Sequence, residues 1–176
     1  MTTPKPFIDH FDAHENQIVH EWIVSDLDTP VSVFLKLAEN EPYSFLLESV
    51  EGGEKLGRYT IIGYDPDIIW TCDDYRTKDG NPLDDIRAIL SNSKIASTNA
   101  DLPPMASSGL FGYMGYDMIR IVENIPDKNP DSLGIPDSIF VRPRILVIFD
   151  NIKHKICVVI DVFINEFWFL IFSKLI

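Results

Sequence analysis

Cysteine, positive charge and histidine are all scarce in this chain. Cys72 and Cys157 are the only two cysteines among 176 residues and lie far apart in sequence. Neither a disulfide framework nor a CxxC metal site is therefore available. That usage fits a reduced setting, and a cytoplasmic location is expected. Lys and Arg total 15 against 27 Asp and Glu, a net charge of −12. No basic stripe exists to track a phosphate backbone, so no nucleic-acid partner is expected. His10, His14 and His20 have no HExxH frame around them and read as solvated side chains, with no metal ligand among them. The sequence also lacks GxSxG, a phosphate loop and any apolar run long enough to cross a bilayer, which takes about 20 residues. Met1 to Pro6 has no apolar core behind its lysine, so no signal peptide is expected.

What is present is ordinary for one globular domain: 45% apolar and 24% charged residues. The stretch Tyr43 to Gly53, running on into Gly57–Gly63, organises the reading. Phe45, Leu47 and Ser49 alternate with Ser44, Leu46 and Glu48, the period of a half-buried strand. Tyr59 and Ile61 continue after a glycine turn with strand-favouring residues. On an ideal strand Leu47 and Ser49 share one face and Glu48 takes the other. An apolar floor beside a small hydroxyl suits an aromatic amino acid.

Around this hairpin the chain divides readily. Residues 7–24 read as a short helix followed by a strand over Gln17–Ile23. Thr29 followed by Pro30 marks a helix start, since the hydroxyl caps free N–H groups and proline is preorganised for the first turn. Val31, Phe34, Leu35 and Leu37 then predict an amphipathic helix to about Ala38. Gly63–Asp67 reads as a turn, with Pro66 holding Asp65 extended, and Ile68–Cys72 as a third strand. Leu83, Ile86, Ile89 and Leu90 fall at helical spacing, predicting a helix over 83–92. Ser91–Pro104 reads as a surface linker.

Gly109, Gly112 and Gly115 are three apart, neither a dinucleotide fingerprint nor a P-loop. They read as close backbone approach. Tyr116–Glu123 predicts a short helix with Met118, Ile119 and Val122 inward. Ile145–Asp150 is almost wholly apolar, as in a strand buried on both faces, and Lys155–Ile160 returns as its hairpin partner. Phe163–Ile176 is apolar without a clean polar face. Carboxylates are plentiful, but sequence alone pairs no acid with a base. Residue types alone reach a mixed α and β domain with a small-ligand pocket.

Asp28–Leu37, Ser44–Gly53, Gly57–Gly63 with Asp65-Pro66, Gly109–Asp117 and Ile135-Pro136-Asp137 follow one another as in a known family. Together they resemble the N-terminal region of anthranilate synthase component I. The resemblance covers roughly Ile18 to Ile160. It implies an α+β fold, with largely antiparallel sheet and a few packed helices, over residues 1–161. Residues 162–176 then form a divergent apolar tail where the family continues into a chorismate-binding domain.

In that family the complete enzyme converts chorismate to anthranilate. It uses Mg2+ bound by the chorismate-binding domain and ammonia from a glutamine amidotransferase subunit. The resemblance therefore implies no catalytic residue, metal ligand or cofactor in this chain, and no activity for it alone. It does imply L-tryptophan as effector, bound by the family's LLES strand: here Leu47 beneath the indole, Glu48 toward the ammonium and Ser49 as the leading contact. Arg58, Tyr59, Gly115, Tyr116 and Asp117 are further residues expected to line the pocket. Two alternatives stand beside this reading. One is the same region of aminodeoxychorismate synthase component I, against which the Glu51-Gly52-Gly53-Glu54 turn and the extended N-terminal lead favour the anthranilate branch. The other is a stand-alone tryptophan- or partner-binding module.

Overall fold

A computed structural model describes residues 15–50, 56–95, 101–107, 109–126, 128 and 130–163. The helix expected before Gln17, the Glu51–Gly53 turn and the apolar tail beyond Phe163 lie outside them. The fold is α+β, built on one antiparallel sheet. Its strands are β1 (Gln17–Val24), β2 (Phe45–Val50), β3 (Leu56–Cys72), β4 (Phe111–Met114), β5 (Ser138–Asp150) and β6 (Lys155–Val162). They run β1-β6-β5-β3-β2 across the sheet, with β4 pairing β5 off that path.

β5 is central and buries Leu146 through Asp150 without a break, as its apolar run requires. Leu146 and Ile148 join Cys157 and Val159 of β6 on one face, with Phe45, Tyr59, Ile61, Leu102, Met105 and Phe111 against them. Val147, Phe149, Ile62 and Ile156 form the opposite face beneath α1 (Pro30–Leu37). A third cluster gathers Trp70, Cys72, Phe140 and Met118 under Ile86 and Ile89 of α2 (Pro82–Asn92).

α1 begins as its sequence dictates. Thr29 Oγ1 accepts from Ser32 N, and Ser32 Oγ accepts from Thr29 N, a reciprocal cap. Its inward side differs from the expectation. Val33 is buried with Phe34 packed beside it, while Val31, Leu35 and Leu37 stay about half exposed, and the helix makes its main contacts with β2 and β3.

The turn expected at Gly63–Asp67 is absent, and β3 runs through it as one 17-residue strand. Nor is Asp65 extended: it takes φ +53°, a left-handed conformation that aspartate tolerates better than most residues. A register shift between Pro66 and Ile68 absorbs the irregularity. β5 supplies the reason, because Arg142 grips both carboxylate oxygens of Asp67 and Arg144 Nη2 donates to Asp65 Oδ1 at 2.6 Å. Arg142 is buried, donates to Ser93 Oγ at 2.6 Å and lies 3.5 Å from the Phe163 ring centroid.

Tyr116–Ile121 forms a 3₁₀ helix. Three residues per turn align Met118 with Ile121 inward and leave Ile119 and Val122 exposed, correcting the expected face. Gly112 and Gly115 are close-approach positions: a Cβ at Gly112 would sit 1.9 Å from Ile139 O, and one at Gly115 2.7 Å from Asp137 O.

Candidate functional site

β2 is an edge strand of the sheet, and its register with β3 breaks where the site begins. Leu47 pairs Ile61 and Glu48 pairs Thr60, but the next pair is Val50 with Leu56. One residue of β2, Ser49, therefore faces Gly57, Arg58 and Tyr59 of β3. A bulge of this kind re-aims side chains that strict alternation would send to opposite faces. Leu47, Glu48 and Ser49 are all exposed and all line one hollow of about 370 Å³ with Arg58, Tyr59, Ile61 and Met105. That volume lies within the range of small-molecule sites, roughly 300–1,000 Å³.

Leu47, Ile61 and Met105 bring apolar groups to the hollow, and Arg58 and Glu48 bring one charge of each sign. Arg58 stacks its guanidinium 4.8 Å from the Tyr59 ring centroid and donates to Asp150 Oδ2 at 3.0 Å. That bond fixes the guanidinium and raises its pKa further. Asp150 is fully buried. Burial pushes its carboxyl up, but bonds from Arg58 and from the Lys153 and Ile152 amides outweigh this and hold it below the usual carboxylate range. Glu48 presents a carboxylate with no salt-bridge partner among the described residues. The hollow can thus receive a flat apolar group with an ammonium and a carboxylate at its edge.

Gly115, Tyr116 and Asp117 are not brought to this hollow. They line a second one, of about 330 Å³, with Tyr75, Arg76 and Arg120 at the far end of β3. There Arg120 pairs with Asp117, Arg76 with Asp74, and Tyr113 Oη donates to Pro136 O at 2.7 Å. Met105 escaped the sequence reading because it directly follows Ser91–Pro104, which reads as linker. Its nearest signal was the apolar pair Leu102 and Met105 among prolines, and both pack on the sheet.

Both thiols are buried, and desolvation raises both, Cys157 to about 11, away from the reactive thiolate form. Among the described residues no cluster of His, Cys, Asp or Glu could hold a metal ion. No helix among them is long and apolar enough to cross a membrane.

No family profile matches the chain. Individual relatives do. Anthranilate synthase component 1 of Cereibacter sphaeroides is 43% identical over 94% of this chain and 36% of its own length. The proteins of the same name from Acetivibrio thermocellus and Synechocystis are 35% and 39% identical over 81% and 79% of this chain. The chain belongs to the anthranilate synthase component I family. It spans about a third of the length of the curated relatives it matches. The fold agrees: the crystal structure of anthranilate synthase component I from Streptococcus pneumoniae superposes with a TM-score of 0.52 and 26% identity. That match covers 82% of this chain and 32% of the other.

Proposed function

We propose that this region of anthranilate synthase component I carries part of a feedback site for L-tryptophan, in the hollow bounded by Leu47, Glu48 and Ser49. The complete enzyme turns chorismate into anthranilate, with Mg2+ and with ammonia from a glutamine amidotransferase subunit. The tryptophan end product would act here as effector and undergo no chemistry. Leu47, Ile61 and Met105 take the indole, Ser49 bonds the ligand's polar atoms, Glu48 faces its ammonium and Arg58 its carboxylate. One observation carries this reading: at the register shift of β2 against β3, the adjacent residues Leu47, Glu48 and Ser49 all line one hollow. Inhibition follows if tryptophan binds the low-activity arrangement better than the active one. The difference in affinity is the coupling energy, typically ~1–3 kcal/mol.

Ser49→Phe in the complete enzyme tests it, because the larger side chain crowds the hollow at a residue given no catalytic role. Half-inhibition should need at least about tenfold more tryptophan, within the usual range of such couplings, while kcat stays within about twofold, well under one tenfold step of barrier. Unchanged inhibition overturns the assignment.

A further inference from the structure

A side chain on residue 57 would enter space that Ser49 already fills. A Cβ built on Gly57 would lie 2.1 Å from Ser49 Cβ, 2.2 Å from Ser49 Oγ and 2.6 Å from Ser49 O. The serine side chain therefore lies across the bare α-carbon of residue 57 at the bulge, where three residues of β3 face one of β2.

Which strand would yield to a larger residue can also be read. Gly57 is buried and held from behind. Asn151 Nδ2 donates to Gly57 O at 2.9 Å, Asn151 N donates to Arg58 O at 2.8 Å, and Arg58 is tied to buried Asp150. Ser49 sits on the exposed edge strand, with nothing on its outer side among the described strands. Crowding at residue 57 must move Ser49, and with it the mouth of the hollow.

We propose that Gly57 is a positioning residue of the effector site: the absence of its side chain sets where the Ser49 hydroxyl stands. The proposal rests on the reading of the hollow as a tryptophan site. It adds a determinant of that site which makes no ligand contact of its own.

The test compares Gly57→Ala with Gly63→Ala, each in the complete enzyme, by calorimetric titration with L-tryptophan and by thermal unfolding. Gly63 is the matched control. A Cβ there would crowd the Phe45 ring at 2.2 Å, and neither residue lines the hollow. Both variants should lose thermal stability. Only Gly57→Ala should lose tryptophan affinity, by about tenfold, the scale of one displaced hydrogen bond. Equal affinity in Gly57→Ala and wild type overturns the positioning role alone. A wild type that gives no heat with tryptophan overturns the reading of the hollow, and the proposal falls with it. If Gly57→Ala does not fold, the Ser49→Gly/Gly57→Ala pair decides. Removing the serine side chain relieves the two closer contacts but leaves Ser49 O 2.6 Å from the new Cβ, so the pair should recover stability in part, and a pair no more stable than Gly57→Ala overturns the proposal.

Discussion

Arg58 and Asp150 face each other across the β3–β5 pairing, and their contact fixes one side of the hollow. The guanidinium approaches both carboxylate oxygens, at 3.4 and 3.0 Å, while Asp150 Oδ1 also accepts from the amides of Ile152 and Lys153 at 3.1 Å each. One buried carboxylate thus closes the β5–β6 turn and aims the arginine. Because Arg58 is 43% exposed, solvent screens the ion pair, and the turn bonds carry most of the stability.

That arrangement predicts a pH signature. The folded pKa of Asp150 lies below its ordinary value of 3.8, so its contribution is complete above pH 3.8 and is lost as pH falls through the folded value. Asp150→Asn should cost about 1–2 kcal/mol at neutral pH, from weakened turn bonds. The gap from wild type should narrow at pH 3. Denaturant unfolding at the two pH values checks this, and a gap of the same size at both contradicts it.

A second prediction concerns Arg142, which is 2% exposed and shared by Asp67, Ser93 and the Phe163 ring. Removing one partner of a buried pair strands the other, so Arg142→Ala should cost about 3–5 kcal/mol. Lysine keeps the charge but lacks the planar fork that reaches Asp67 and Ser93 together. Arg142→Lys should therefore recover less than half of that loss in urea unfolding. Full recovery would mean that charge alone is needed there.

The elements governed by neighbours in sequence were legible in it. Thr29-Pro30 announced α1, the 83–92 periodicity announced α2, and the apolar run Ile145–Asp150 announced a strand buried on both faces. The failures share a physical cause. Pro66 makes Asp65–Asp67 read as a turn, and only partners 75 to 79 residues away, Arg142 and Arg144, hold that stretch in a strand. Val33 replaces Leu35 and Leu37 as the inward side chain of α1, a choice made by the packing against β2 and β3. Neither fact has a local signature.

The site divides in the same way. Leu47, Glu48 and Ser49 stand next to one another in sequence, and strand alternation separates Glu48 from the other two. The register shift that brings all three to one hollow depends on how Leu56 pairs with Val50. Met105 comes from a segment whose prolines disguise its packing, and Gly57 reads as a turn residue until the position of Ser49 above it is known.

The most direct measurement is a titration of the complete enzyme, 15N-labelled over this region, with L-tryptophan, followed by its amide resonances. Saturable shifts should appear at Leu47, Glu48, Ser49, Arg58 and Met105, with Gly115–Asp117 at the other end of β3 unmoved. Shifts confined to Gly115–Asp117, or none at saturating ligand, would contradict the account.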